Sequence, residues 1–352
     1  MRILIDIGHP AHVHFFHNPI LLLKQRGHEV LITSREKEIA VDLLDELHIP
    51  HEVISTQAGG GIFALAKELV TRNASLYRVV KRFKPDIMAA IGGTFIAQVG
   101  KISGVQSLVF YDTENATLQN AITYPFASCV IVPRCYSSWL PQRRHLRYDG
   151  YHELSYLHPD YFTPNREKAI SNGLAPEGDT FLIRVVSWQA SHDIGEQGWN
   201  QELLQRTIEK LSTQGKVLIS SESKLDSALL PYQYPGNVSE IHHVMAFCRA
   251  FIGESATMAS ESVVLGVPAI YAATTGRGYT DEQEIKYGMV KNIRKLDWAS
   301  ISQAIDEVLH MPAAHWQQAR DNLLANTIDV PKFVANCIEY PPPGQSQDRS
   351  GG

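Results

Sequence analysis

The stretch from Phe251 to Tyr271, FIGESATMASESVVLGVPAIY, leaves this chain few ways to fold. An apolar run, Ala250 to Ile252, enters a turn of small residues, Gly253-Glu254-Ser255-Ala256-Thr257. A helical stretch from Met258 to Leu265 stops at Gly266, and Pro268 opens a second apolar run, Ala269 to Ala272. Strand, turn, helix and strand make one βαβ unit, which commits both strands to a parallel sheet. The turn offers hydroxyls and backbone N–H groups at a helix N-terminus, where the dipole favours phosphate. Glu261, one turn into the helix, is the odd residue among Met, Ala, Ser, Val and Leu. A carboxylate cannot bind phosphate but accepts both hydroxyls of a ribose. Phosphate donors beside a diol acceptor describe a nucleotide site. The plainer alternative is a crossover helix with Glu261 on its solvated face.

The same alternation runs through the chain. MRILIDIG reads as a buried parallel strand, apolar at nearly every position. HPAHVHFFHNPILLLKQRG reads as loop then helix, and HEVLITSR as the next strand. A helix from Glu36 to Leu47 and a strand from His51 to Ile54 lead to a flexible Gly59-Gly60-Gly61 loop. Helices over Ile62 to Asn73 and Ser75 to Phe83 precede a strand over Ile87 to Ile91 and the turn Gly92-Gly93-Thr94. Helix Phe95 to Ser103, strand Gln106 to Tyr111, helix Ala116 to Phe126 and strand Ser128 to Val132 complete this half. From Pro133 to about Asp179 the rhythm breaks, and Tyr148, Tyr151, Tyr156, Tyr161, Pro159 and Pro164 among polar residues read as a linker and its approach. A second alternation follows: strand FLIRVVS, helix Gln201 to Thr213, strand Lys216 to Ser220, helix Ile241 to Cys248, the opening unit and a short strand near Val290. Helices over Ile301 to Leu309, Ala314 to Ala325 and Pro331 to Glu339 precede a disordered tail. The expected fold class is α/β, with two Rossmann-like, doubly wound domains over residues 1–160 and 161–330. A C-terminal helix over 331–340 and a tail over 341–352 complete the division. Two such halves imply a cleft, with ligands beyond the strand C-termini.

At 352 residues the chain suits two domains. A net charge of −5 argues against non-specific nucleic-acid binding. Cys129, Cys135, Cys248 and Cys337 form no CxxC pair and read as reduced core thiols of a cytoplasmic protein. The N-terminus enters a strand at once, without a signal-peptide core, and no run reaches transmembrane length. The basic stretches Arg78-Lys81-Arg82-Lys84 and Arg143-Arg144-Arg147 read as solvated faces, with weak peripheral contact to an anionic lipid surface as the other reading.

Several side chains could carry chemistry. The first βα loop holds His9, His12, His14 and His17, with Asp6 at the strand end. A zinc site, helix capping and packing, and a general base facing the cleft are the three readings. The HxxHxH spacing fits no zinc pattern, and His14 and His17 suit packing. Asp6 can orient an imidazole or cap the helix. At a strand end, Asp112 and Glu114 read as acceptor-binding groups or a metal pair, Asp112 and Asn115 also as helix caps, with Glu114 the functional choice. Gly92-Gly93-Thr94 is a second turn at a helix N-terminus, open to an acceptor. Arg184 interrupts an apolar strand, which is costly for an unpaired charge.

GESATMASESVVLGVP resembles the donor segment of GT-B glycosyltransferases and of the non-hydrolysing UDP-N-acetylglucosamine 2-epimerases. With DIGHPAHVHFF at its start, the whole chain resembles the domain-of-unknown-function 354 family. Ala11-His12-Val13 resembles the GHV loop of MurG-type transferases, with Pro10-Ala11 in place of glycines, and Tyr111 to Asn115 resembles their HEQN segment. The resemblance implies a GT-B arrangement, His12 and Glu114 as catalytic residues, and His9, Gly93 and Thr94 on the acceptor side. It places Arg184, Ser187 and His192 at the diphosphate, without the arginine run of the epimerases, and His242 near the base. Gly253, Ser255, Ala256, Thr257 and Glu261 hold the nucleotide, and Glu282 and Gln283 the sugar hydroxyls, from a loop over Thr275 to Gln283 that also carries Arg277. It implies an inverting transferase using a UDP-sugar and an acceptor that is a sugar or lipid-linked sugar, with no cofactor or catalytic metal. A UDP-sugar epimerase and a non-catalytic sugar-nucleotide-binding protein are the alternatives.

Overall fold

The computed structural model describes residues 1–36, 38–56, 62–186, 199–221 and 224–342. The chain divides into two compact units, Met1–Tyr156 with Ile328–Gly352, and Leu157–Thr327. The Gly59-Gly60-Gly61 loop and tail residues 343–352 lie outside the described residues.

Seven parallel strands form the sheet of the first unit: β1 (Arg2–Ile7), β2 (Glu29–Glu36), β3 (His51–Thr56), β4 (Ile87–Ile91), β5 (Gln106–Phe110), β6 (Cys129–Pro133) and β7 (His145–Tyr148), in the order β3-β2-β1-β4-β5-β6-β7. Helices α1 (Pro10–Gln25), α2 (Glu38–Glu46), α3 (Ile62–Phe83), α4 (Thr94–Ser103) and α5 (Thr117–Thr123) connect them. Ile3, Leu4, Ile5 and Ile7 of β1 are fully buried, as a central strand covered on both faces must be. The order reverses between β1 and β4, so the loops after these two strands flank a topological switch point.

Four expectations change here. Helix α1 begins at Pro10, so His12, His14 and His17 lie on a helix and not in a loop. Proline at the first position needs no N–H partner and its φ is preset for the helix, while His9 caps it by accepting from Ala11 N at 3.2 Å. The two stretches over 62–83 are one helix, α3. Asn73 within it donates to Gln98 Oε1 at 2.6 Å and so does not compete for its own backbone. Helix α5 ends at Thr123, short of Phe126: Tyr124 keeps helical dihedrals and donates to the Asn120 carbonyl, but Pro125 has no N–H to carry the ladder on. The supposed linker supplies β7, paired in register Val130↔His145 to Pro133↔Tyr148. Tyr148, Tyr151 and Tyr156 are buried, not linker residues. HLRY is short and polar because it is an edge strand, and its pattern was too brief to show a period.

After α6 (Leu154–Leu157) and α7 (Arg166–Ser171), the second unit has five parallel strands: β8 (Asp179–Val185), β9 (Gly215–Ser221), β10 (Ala250–Gly253), β11 (Ala269–Ala272) and β12 (Val290–Ile293). Their order is β12-β11-β10-β8-β9, with the reversal between β10 and β8. Helices α8 (Gln201–Ser212), α9 (Ile241–Met245), α10 (Ala256–Leu265), α11 (Gly278–Tyr287), α12 (Trp298–His310) and α13 (Ala313–Ala325) complete it. Because α11 starts at Gly278, Glu282 and Gln283 are helical and not in a loop. The Arg277 carbonyl accepts from Thr280 Oγ1 and Asp281 N, which closes the first turn there. The last helix, α14 (Val330–Glu339), belongs to the first unit, where Glu339 pairs with Arg26 at 2.6 Å.

Candidate functional site

At the C-terminal edge of the first sheet, the loops after β1, β5 and β7 bring histidines and carboxylates together. Asp6, still within β1, does not face an imidazole as a partner. Its carboxylate accepts from Arg72 Nη2 at 2.9 Å and from Thr33 Oγ1 at 2.8 Å, and the Arg72 guanidinium lies 4.2 Å from the Phe95 ring centre. This buried pair fixes the strand end on which the next residues stand. Gly8 N donates to His12 Nδ1 at 3.3 Å, which leaves the proton of the neutral ring on Nε2. Burial, then the neighbouring His9 and His152, push the His12 pKa down to about 3 against the opposing pull of Asp112. His12 is therefore a neutral ring across the physiological range.

The tightest His–carboxylate contact in the first unit was not legible in the sequence. His152 Nδ1 lies 3.1 Å from Asp112 Oδ2, and Thr113 Oγ1 donates to Asp112 Oδ1 at 3.0 Å. Burial acts to raise the Asp112 pKa, but the charge and hydrogen bond of His152, with Thr113 and His12, bring it below the usual value. With Nδ1 spent on Asp112, His152 Nε2 is a buried lone pair without a hydrogen-bond partner among the described residues. The Phe15 ring centre lies 4.4 Å from that of His152. His152 sits in the supposed linker, 140 residues after His12, so only the signal of β7 could have pointed to it.

The remaining first-unit residues are engaged in other ways. Ser138 Oγ donates to the Glu114 carbonyl at 3.1 Å, and Glu114 adds to the upward shifts that burial gives the Tyr124 and Tyr136 phenols. Thr94 Oγ1 lies 2.7 Å from Thr123 Oγ1 inside the unit. Gly93 has φ 48°, and a Cβ there would come within 2.7 Å of Val109 Cγ2, so glycine is required for packing. His9 caps α1, and His14 stacks on Tyr156 with ring centres 5.2 Å apart. Among the described residues, no group of three or more His, Cys, Asp or Glu is placed to hold a metal ion.

In the second unit the turn after β10 lies at the switch point, within hydrogen-bond reach of Val186 and Trp199. Gly253 is needed because a Cβ would lie 2.2 Å from the Arg184 carbonyl oxygen of the paired strand. Ser255 caps α10, accepting from Met258 N at 3.3 Å; Ala256 is buried and Thr257 half-buried behind it. Glu254, whose role the sequence did not announce, accepts from Val186 N and from Trp199 N, both at 3.0 Å. It thus pins both ends of the segment that contains Ser187 and His192, which lie outside the described residues. Arg184 Nη1 donates to Ser220 Oγ at 2.8 Å, so part of its polar demand is met along the sheet.

Glu261 is buried, not on a solvated face. Its Oε1 lies 3.0 Å from His242 Nε2, which is itself buried. Phe162 meets the His242 ring edge-on and stacks on His243, with centres 6.3 Å and 4.9 Å apart. The structure thus joins two residues expected separately at ribose and base. Gln283 is fully buried and donates to Ser260 Oγ at 2.7 Å, while Glu282 next to it is half-buried. Asp281 pairs with Arg294 at 2.8 Å. A groove of about 870 Å³ bounded by Lys291, Trp298 and Trp316 lies elsewhere on this unit and is lined by none of the expected residues.

A family model described as "Protein of unknown function (DUF354)" matches residues 1–301. An uncharacterized protein of Methanocaldococcus jannaschii is 20% identical over 285 residues, covering 77% of this chain and 81% of the relative. Among solved structures, the UDP-GlcNAc 2-epimerase of the same organism superposes with TM-score 0.65 at 13% identity, over 89% of this chain and 94% of that one. The Neisseria meningitidis 2-epimerase bound to UDP-GlcNAc gives 0.66 at 11% identity, over 96% and 98%. Acinetobacter baumannii MurG gives 0.61 at 15%, over 96% and 99%. At these identities the likeness establishes a shared GT-B-like fold.

Proposed function

The chain belongs to the DUF354 family of proteins of unknown function, and we propose that it is an enzyme acting on a nucleotide-activated sugar, a UDP-sugar. The observation that carries this reading is a fold shared over 96% of the chain with an epimerase bound to UDP-GlcNAc. The N-terminus of α10, at Ser255 to Thr257, and Arg184 receive the diphosphate, whose charge grows as it leaves. Ser187 and His192 are assigned to the same anion. Glu261, oriented by His242, accepts the ribose hydroxyls, and Glu282 meets the sugar. The acceptor side is His9, Gly93, Thr94 and Glu114, and the acceptor is a sugar or lipid-linked sugar. Nε2 of His152, held as a base by Asp112, takes the acceptor hydroxyl proton. That oxygen attacks the anomeric carbon from the face opposite UDP, and the bond to the diphosphate breaks with its electron pair leaving on UDP. His12, with its proton on Nε2, donates a hydrogen bond to the reacting oxygen. The scheme asks for no cofactor or metal and assigns the protein to the cytoplasm, in the synthesis of cell-envelope polysaccharide.

Epimerisation is the second reading, favoured by the higher TM-scores of the epimerases over MurG. The test is NMR of UDP-GlcNAc incubated with the protein, with and without a pool of candidate acceptors. UDP release that depends on acceptor supports transfer. A new 2-epimer without acceptor supports epimerisation. Neither, with UDP-sugar bound as tightly by His152→Gln as by wild type, reduces the protein to a sensor.

A further inference from the structure

Of the surfaces outside these centres, one stands apart by composition. Residues 115–148 contain no Asp or Glu but four arginines, in a chain whose net charge is −5. The same segment carries exposed apolar side chains: Leu118 is 77% exposed, Ile122 37%, Phe126 41% and Trp139 70%. Leu118 and Ile122 are four apart on α5 and share a face, and Phe126 continues that spacing beyond it. Gln98 of α4 donates to the Ile122 carbonyl at 3.1 Å, and one turn further along α4 lie exposed Lys101 and Ile102, the latter 73% exposed. The Trp139 ring lies 6.1 Å from that of Tyr124, just before Phe126.

Three of the four arginines, Arg143, Arg144 and Arg147, have no carboxylate partner among the described residues. Arg144 Nη1 donates to the Tyr124 and Ala127 carbonyls at 3.1 and 2.6 Å, and Arg147 Nη1 to the Arg134 and Tyr136 carbonyls at 3.0 and 2.6 Å. Such bonds fix the guanidinium without cancelling its charge. Arg143, exposed beside them, has no ion-pair partner among the described residues. Arg134, the fourth, meets the carboxylate of Asp149 at 3.1 Å. Exposed apolar tips with a tryptophan, beside arginines without carboxylate partners, complement the interface of an anionic bilayer, where the rings enter the headgroup boundary and the cations meet phosphate. A water-facing surface gains nothing from that combination.

We propose that this face of the first unit, formed by α5, the end of α4 and the Trp139 loop, docks on an anionic lipid surface. The proposal goes beyond the sugar-nucleotide reading and does not depend on it. The test is co-sedimentation of the full chain with phosphatidylcholine vesicles and with vesicles containing phosphatidylglycerol, for wild type, Trp139→Ser, Leu118→Ser and Arg143→Glu. All three replaced side chains are exposed, so circular dichroism and Tm serve as controls of an intact fold. Wild type is expected to bind phosphatidylglycerol vesicles more than about tenfold tighter than phosphatidylcholine, at roughly fivefold for each basic residue near the surface. Trp139→Ser and Arg143→Glu should each lose about tenfold. No binding to either vesicle, or equal binding by all four proteins, overturns the proposal. A loss with Arg143→Glu alone reduces the face to a solvated basic one and overturns it too. So does a wild-type dimer, dissociated by Leu118→Ser, that ignores vesicles.

Discussion

Each unit buries a histidine against a carboxylate, and the two pairs are wired in opposite senses. In the first unit, Asp112 holds Nδ1 of His152, so the distal nitrogen keeps its lone pair. In the second, Glu261 holds Nε2 of His242, so the distal nitrogen is the one consumed. Their supports differ as well. Asp112 and His152 lie in the chain that follows strands β5 and β7, whereas Glu261 and His242 are on helices α10 and α9. A carboxylate at Nδ1 prepares an imidazole to take a proton at its tip. A carboxylate at Nε2 is itself the group being aimed, with the imidazole as its support. On the proposed function, a histidine–carboxylate pair is a proton acceptor in one place and a hydroxyl receptor in the other.

That contrast breaks most visibly in turnover. His152→Gln should lower kcat by about 10² to 10⁴ while leaving the thermal shift produced by UDP unchanged. If affinity falls and kcat persists, the assignment of the two pairs is reversed. Glu261→Gln should do the converse, weakening UDP-sugar binding roughly tenfold to a hundredfold with kcat within a few-fold, as titration calorimetry and steady-state kinetics would show. Acid stability separates the first unit further. The folded His12 pKa is depressed to about 3, so the unfolded chain binds a proton from pH 6.5 downward that the folded chain refuses. Stability is full above pH 6.5 and falls as pH drops, by about 2 kcal/mol between pH 6.5 and 5. Urea unfolding of His12→Gln should lack that loss. Asp112 has the smallest expected effect. Its depressed pKa contributes stability above the unfolded carboxylate value that disappears as pH falls through the folded one. Asp112→Asn should therefore lower stability at pH 7, and the difference from wild type should vanish in acid.

The βαβ rhythm was legible because strands buried on both faces must be apolar at nearly every position, as MRILIDI and AFIG are. The turn after β10 was legible for a related reason. Gly253 has no room for a Cβ, and Ser255 is a natural cap, so backbone demands wrote themselves into residue types. What stayed hidden depended on partners distant in sequence. Nothing local marks Asp112 as the partner of His152 40 residues on, or Asp6 as the partner of Arg72. The edge strand β7 was hidden by brevity, and the start of α1 by a proline that looked like a breaker but sat where proline is welcome. Gln283 looked like an exposed recognition residue until α11 turned it inward onto Ser260.

The central claim is that the second unit receives a nucleotide sugar through Glu261. A thermal-shift panel of nucleoside diphosphates and their sugars, wild type beside Glu261→Ala, tests it most directly. UDP and UDP-sugars should stabilise wild type by a few kcal/mol at saturation and the variant by much less. Equal shifts for both proteins, or none for either, would contradict it.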